Sequence, residues 1–258
     1  MELKAMNLDV AYDHRTVVHG MEMYINKNEI TTIVGPNGSG KSTVLKAITR
    51  LIPYRTGEVR LDGKLLGEYK PKELSRNIGV LPQVHAVPAD FRVRELVSYG
   101  RMPHQKMLSG LSSEDTSVIE WAMKSTGVFE MREKSIFQIS GGERQRVWIA
   151  TVLAQQPEIL FLDEPTTFLD VAHQYETLRL VQQLNRETGI GVVMVLHDLG
   201  HALEMSDRIV VMKEGKKFAE GKPLEVITPE VLKEVWGVTG KVINLEGRPV
   251  IIYDELAM

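Results

Sequence analysis

Apolar and polar positions alternate at the start of the chain, as half-buried strands require. Leu8 and Val10 alternate with Asn7 and Asp9, a turn follows at Tyr12-Asp-His-Arg15, and Thr16-Val-Val and Met21-Glu-Met-Tyr-Ile continue the pattern. Residues 1–34 therefore read as short strands, the last being the apolar run Ile30-Thr-Thr-Ile-Val34. Next comes a helical rhythm, with Val44, Leu45, Ile48, Leu51 and Ile52 on one face. Gly57, Gly63 and Gly67 punctuate short apolar runs between 54 and 69, the look of a hairpin region, and Asn77-Ile-Gly-Val-Leu81 is another strand.

From Val93 to about Leu153 the periods are helical. Ser113-Glu-Asp precedes Val118, Ile119, Ala122 and Met123 on one face, with Gly127 as a stop. A second helix opening at Ser140 has the stripe Val147, Ala150, Leu153 and Ala154. Then Ile159-Leu-Phe-Leu162 and Val192-Val-Met-Val-Leu196 are near-continuous apolar runs, as parallel strands buried on both faces show, with a helix expected over Gln174–Asn185. The tail predicts a hairpin around Lys213-Glu-Gly215, a helix after Thr228-Pro229 and a strand pair around Gly247. No linker, low-complexity stretch or repeat divides the chain, so the simplest account is one α/β core interrupted by a helical insertion.

Bulk properties narrow the reading only a little. At 258 residues there is ample length for a core, and 31 Lys+Arg against 34 Asp+Glu make no case in bulk charge for nucleic acid as a partner, though local basic patches stay open. With no cysteine there is neither a disulfide framework nor a thiolate site. The N-terminus lacks the apolar core of a signal peptide, and no apolar run approaches the ~20 residues of a membrane span. The expectation is a soluble chain that reaches a membrane only through a partner.

The candidate chemistry starts at Gly35-Pro-Asn-Gly-Ser-Gly-Lys-Ser-Thr43. The frame G-x-x-x-x-G-K-[ST] is met by Gly35, Gly40, Lys41 and Ser42, between a strand and a helix, which is the context of a phosphate-binding loop. Glycines let backbone N–H groups converge on one anion, and the helix N-terminus adds positive dipole. Lys41 can reach the outer phosphates and the Ser42 hydroxyl can hold Mg²⁺. Asp163 and Glu164 end an apolar strand, where α/β sheets bind ligands. Asp163 is then available to Mg²⁺ and Glu164 to an attacking water, the plain alternative being a solvated strand end. Ser140 and Glu143 spell a capping box, and Gly141 and Gly142 open the same helix start to an anion. Tyr12, Gln83 and His197 are individually uninformative.

Their order is informative. Tyr12, GPNGSGKST, Gln83, Ile139-Ser-Gly-Gly-Glu143, ILFLDEP, Thr166-Thr-Phe-Leu-Asp170 and His197 resemble, over nearly the whole chain, the ATP-binding-cassette ATPases. The resemblance implies an α/β P-loop NTPase (RecA-like) core with an antiparallel β subdomain and an inserted α-helical subdomain. The core with its β subdomain would take 1–90 and 155–212, the helical subdomain 91–154, and a β/α tail 213–258. It also implies ATP and Mg²⁺ as cofactors and a head-to-tail homodimer with each ATP sandwiched between one copy's phosphate loop and the other's signature segment. Tyr12 should then stack on adenine. Gly35, Pro36, Asn37, Gly38, Ser39, Gly40, Lys41, Ser42 and Thr43 should hold the phosphates, and Ser42, Gln83 and Asp163 the metal. Ser140, Gly141 and Gly142 should reach the partner copy's γ-phosphate, with Asp170 a contact across the dimer. Glu164 should be the general base, Gln83 should sense metal and water, and His197 should be the γ-phosphate switch. The signature departs from the commonest form, LSGGQ, in Ile139 and in Glu143, which keeps the capping chemistry and adds charge near nucleotide.

A cassette without membrane helices needs integral-membrane permease subunits. Phe91-Arg-Val-Arg-Glu-Leu-Val-Ser-Tyr-Gly-Arg-Met-Pro-His104 resembles the R-E-L-V-x-x-G-R-x-P-H segment of cassettes serving importers of ferric siderophores, haem and cobalamin. Residue by residue the same stretch is simply a helix with a basic edge. Val195-Leu-His-Asp-Leu-Gly-His-Ala202 and Glu220–Glu230 are similar to the same group. Ferric siderophore import is the first expectation, at the cytoplasmic face of the membrane and with an extracytoplasmic solute-binding protein. Cobalamin, haem and molybdate-type oxyanions follow, and a soluble non-transport cassette is the alternative class.

Overall fold

Burial along the first strand follows its alternation: Leu3, Ala5, Leu8 and Val10 are fully buried while their neighbours reach solvent. The computed structural model describes residues 1–83, 91–106 and 110–256. They fall into two units, 1–68 with 191–258 and 69–190. The first unit opens with β1 (Glu2–Tyr12), β2 (Arg15–Asn26), β3 (Ile30–Val34), α1 (Lys41–Ile48), β4 (Thr56–Leu61) and β5 (Lys64–Leu65). The second holds α2 (Pro71–Asn77), β6 (Ile78–Leu81), α3 (Val93–Ser98), α4 (Ser113–Ser125), α5 (Gly141–Leu153), β7 (Ile159–Asp163) and α6 (Val171–Thr188). The chain then returns to the first unit through β8 (Gly191–Val195), α7 (Leu199–Met205), β9 (Arg208–Lys213) and β10 (Lys216–Gly221). It finishes with α8 (Pro223–Val226), α9 (Pro229–Val231), β11 (Val238–Leu245) and β12 (Arg248–Leu256).

In the first unit β1 pairs antiparallel with β2 and with β4, and β4 with β5. A second sheet has β3 parallel to both β8 and β9, with β10 antiparallel on β9. The opening strands are long rather than short, at 11 and 12 residues. Register shifts beside Asn7, whose φ is 50°, let β1 bend without breaking. Helix α1 is shorter than its apolar pattern: Thr49 returns its hydroxyl to the Leu45 carbonyl, Arg50 turns left-handed at φ 62°, and Leu51 is left 56% exposed. Every residue of β3 and β8 is buried, as the continuous apolar runs require.

In the second unit β6 and β7 are parallel, and all five residues of β7 are buried. Truncating the fully buried Phe161 to Ala would cost about 3–5 kcal/mol. Helices α3, α4 and α5 pack on one another, and Val93, Val97, Ala122, Val147 and Ala150 on them are fully buried. Helix α6 runs further than its predicted core: Asp170 caps it by accepting the His173 amide at 2.9 Å, and Gly189 ends it left-handed.

The segment with an expected basic edge turns its third arginine inward. Arg101 is 2% exposed and donates to Asp115 at 2.8 Å and to the Ala154 carbonyl and Gln156 Oε1, each at 2.9 Å. The guanidinium first, and then the Ser112 hydroxyl and amide, hold Asp115 down to about 2. His104 meets the Gln155 carbonyl at 2.8 Å. The distinctive residues of 91–104 thus clasp the C-terminal end of α5. Among the described residues no helix is long and apolar enough to cross a membrane.

Candidate nucleotide site

The phosphate loop leaves β3 and enters α1 at Gly40, which is left-handed at φ 96°. Among the described residues no side chain caps α1. The first turn of a helix carries N–H groups without intrahelical acceptors, so the loop stands where a cap would be. Lys41 is 5% exposed and its ammonium donates to the carbonyls of Gly35 at 2.9 Å and Pro36 at 3.0 Å, folding back over the loop. Ser39 Oγ is buried with no hydrogen-bond partner among the described residues. The turn after β9 braces the loop from behind: the Gly215 amide donates to the Ser39 carbonyl at 3.1 Å. A Cβ at Gly35 would stand 2.2 Å from the Met212 carbonyl, so only glycine fits there.

Two other expected residues lie in the same unit. Parallel register sets Ile33 beside Val195, and the Leu196 amide donates to the Ile33 carbonyl, so exposed His197 leaves its sheet next to the start of the loop. Tyr12 closes β1 with its ring 47% exposed, open for stacking. The following strand brings Val18 within 3.3 Å of a Cβ built on Gly40.

The second unit gathers a different group. Asp163 is 2% exposed at the end of β7. Glu164 follows at φ 54°, a strained conformation for glutamate that redirects its side chain. Its Oε2 accepts from Gln83 Nε2 at 2.5 Å and from the Thr167 hydroxyl at 3.0 Å. Gln83 and Glu164 are thereby brought together, and Thr167 is a third member that the sequence reading did not single out. Its only signal is its place three residues after Glu164.

The signature segment forms the capping box its residue types spell. Ser140 Oγ accepts the Glu143 amide at 3.2 Å, and Glu143 Oε2 accepts the Ser140 amide at 2.7 Å. The Ser140 amide, then its hydroxyl, holds Glu143 below the usual glutamate range. Ser140 and Gly141 are exposed and Gly142 is buried. Asp170 is exposed at the head of α6 and is held low by the His173 amide and ring.

A strand-to-helix phosphate loop, an acid pair on a buried strand and a glycine-opened helix start now stand on one chain. The model of the family described as ABC transporter matches residues 18–167. This chain belongs to that family. The cassette is 44% identical over 242 residues to the iron(3+)-hydroxamate import ATP-binding protein FhuC of Bacillus subtilis (strain 168), covering 94% of this chain and 90% of that protein. It is 40% identical to the ferric enterobactin transport ATP-binding protein FepC of Escherichia coli (strain K12), covering 97% and 93%. A dimeric bacterial ABC transporter cassette superposes with a TM-score of 0.73 at 30% identity, covering 86% and 98%. A metal-chelate type ABC transporter in an inward-facing conformation gives 0.84 at 23% identity, covering 98% and 97%, which speaks for the fold alone. The cassette is thus an ATP-hydrolysing transport subunit built on the P-loop ABC fold.

The residues expected to hold metal, Ser42 in the first unit and Gln83 and Asp163 in the second, carry hydroxyl, amide and carboxylate oxygens, the hard donors that suit Mg²⁺. Among the described residues no three His, Cys, Asp or Glu side chains cluster as a metal cage.

Proposed function

We propose that this cassette hydrolyses ATP to drive a membrane importer of ferric siderophores. It works as a head-to-tail pair of copies at the cytoplasmic face, beneath integral-membrane permease subunits that an extracytoplasmic solute-binding protein supplies. What supports the cargo is the names of the relatives it matches along almost their whole length, which import ferric hydroxamates and enterobactin.

In this reading the loop residues Gly35–Thr43 hold the phosphates of ATP and Tyr12 stacks on its adenine. Ser42, Asp163 and Gln83 would hold Mg²⁺, which when bound neutralises charge on the phosphates. Glu164 takes a proton from the attacking water, and Gln83, already bonded to it, orients that water. His197 reads the presence of the γ-phosphate from the strand beside the loop. Ser140, Gly141, Gly142 and Asp170 complete the site of the other copy. Hydrolysis removes the charge that joins the two surfaces, and the pair opens.

The decisive experiment is uptake. A strain deleted for the gene is expected to lose accumulation of radioactive iron from ferric hydroxamate, and the wild-type gene to restore it while Lys41→Ala does not. The cassette should also co-purify with a multi-span membrane protein. Retained iron uptake with lost cobalamin, haem or oxyanion uptake would move the cargo. Co-purification with DNA or ribosomes in place of a membrane protein would end the transport reading.

A further inference from the structure

One side chain outside every motif so far considered joins the Asp170 loop to the signature turn. His173 sits in the first turn of α6, and its Nδ1 lies 2.7 Å from Asp170 Oδ1. That oxygen also accepts the His173 amide at 2.9 Å. Asp170 is held below the usual carboxylate range, so it can only accept, and Nδ1 carries the proton. This bond leaves the opposite edge of the ring facing α5. A Cβ on Gly142 would stand 2.0 Å from His173 Cδ2 and 2.9 Å from Nε2. The ring takes the room that a side chain at 142 would need.

Two further approaches bring the same helix ends close. Leu169 Cδ2 lies 3.9 Å from a Cβ built on Gly141. One turn along, Arg146 and Glu176 pair at 3.0 Å. The His173 side chain is 35% exposed, so it is not an ordinary core residue. Its two edges are used instead, one by a carboxylate and one by a glycine.

We propose that His173 is a positioning residue that makes the Asp170 loop and the Ser140–Gly142 turn one rigid block. The two contacts that a partner copy needs then form and release together, and neither can engage nucleotide alone. The inference rests on the reading that these residues complete the other copy's site. It adds the device that couples them.

The test uses the full chain carrying Glu164→Gln, with ATP-dependent association measured by analytical ultracentrifugation. Turnover is measured in the otherwise wild-type chain. His173→Phe keeps a flat ring against Gly142 and cannot donate to Asp170. It is expected to weaken association about tenfold and lower kcat by a similar factor while KM for ATP stays within about twofold, since the loop that holds ATP is untouched. His173→Asn keeps an amide N–H for Asp170 but leaves Gly142 without the ring, so association and kcat should fall by a similar factor. A folded His173→Phe or His173→Asn variant that associates and turns over like its parent overturns the proposal.

Should His173→Phe not fold, a cycle of Asp170→Ala, His173→Ala and the double change asks the same question. A tether makes the double no worse than the worse single, and additive losses refute it. Ser140→Arg separates the two levels of the argument. If it leaves ATP-dependent association intact, the shared-site reading has failed. If it abolishes association while the histidine variants are silent, only the tether has failed.

Discussion

Helices α1 and α5 both begin at glycines, yet their first turns are finished in opposite ways. At α1 the N-cap is a left-handed glycine, and among the described residues no side chain closes the turn. Packing holds it instead: Val44, Leu45, Ala47 and Ile48 are each at most 1% exposed along a helix of only 8 residues. At α5 the turn closes on itself through the reciprocal Ser140–Glu143 bonds, with a carboxylate on the positive end of the dipole. Only the Gly141 and Gly142 amides remain for another molecule. The difference separates two kinds of anion site. On the proposed reading, an open turn beneath a lysine holds a phosphate on its own, whereas a turn capped by its own carboxylate needs a second surface to bring one there.

The largest effect expected from this contrast comes from stopping hydrolysis, so that ATP stays in the open site. Glu164→Gln should lower turnover by about 10²–10⁴-fold, the usual worth of a general base, while ATP binding survives and an ATP-dependent dimer accumulates. Phosphate release and sedimentation measure the two halves. Normal hydrolysis by this variant would take Glu164 out of its role. The Gln83 and Thr167 bonds that now converge on its Oε2 would then have only a structural meaning.

Next in size is the lysine that distinguishes α1. Lys41→Ala removes the charge over the Gly35 and Pro36 carbonyls and should weaken ATP binding about 10–100-fold, as the loss of charged hydrogen bonds does. The matching change at the other turn, Ser140→Ala, should leave ATP affinity in the isolated chain unchanged. It costs about 1 kcal/mol of cap, or roughly 2–4 °C in Tm for a chain of this size. Equal losses of ATP affinity in the two variants, by titration with a fluorescent analogue, would erase the distinction between the turns.

Local chemistry and periodicity made the motifs legible, because a phosphate loop, a capping box and a buried acidic strand end are each written in adjacent residues. The capping box at Ser140 and the all-buried strands β7 and β8 could be read for that reason. The stop of α1 at Ile48 could not, since its apolar face continues to Leu51 while a hydroxyl back-bond and a left-handed Arg50 end the helix. Long-range devices left no mark either. Nothing in the chain near Gly35 announces the Met212 carbonyl behind it. Arg101 looks like a surface charge until Asp115 and the α5 carboxyl end are found around it. His173 acquires meaning only once α6 is laid on Gly142.

The smallest effect concerns the carboxylate that closes α5, and it sharpens the comparison most. Glu143→Gln keeps an acceptor for the Ser140 amide but removes the charge, so at pH 7 it should cost about 0.3–1 kcal/mol of charge–dipole stabilisation. The folded pKa of Glu143 is lowered, so its contribution is complete above the unfolded value of about 4.3 and disappears as pH falls through the folded one. The difference in stability between wild type and Glu143→Gln should therefore be constant from neutral pH to about 5 and shrink as pH falls further, read from urea midpoints. Association should move the other way. Without a negative charge beside the second copy's triphosphate, the Glu164→Gln pair should form about threefold more tightly, and added salt should shrink the gain because exposed charges are screened. A gain in association that salt leaves untouched would mean that Glu143 acts by shaping the turn, and the charge contrast between α1 and α5 would then have no part in how the pair closes.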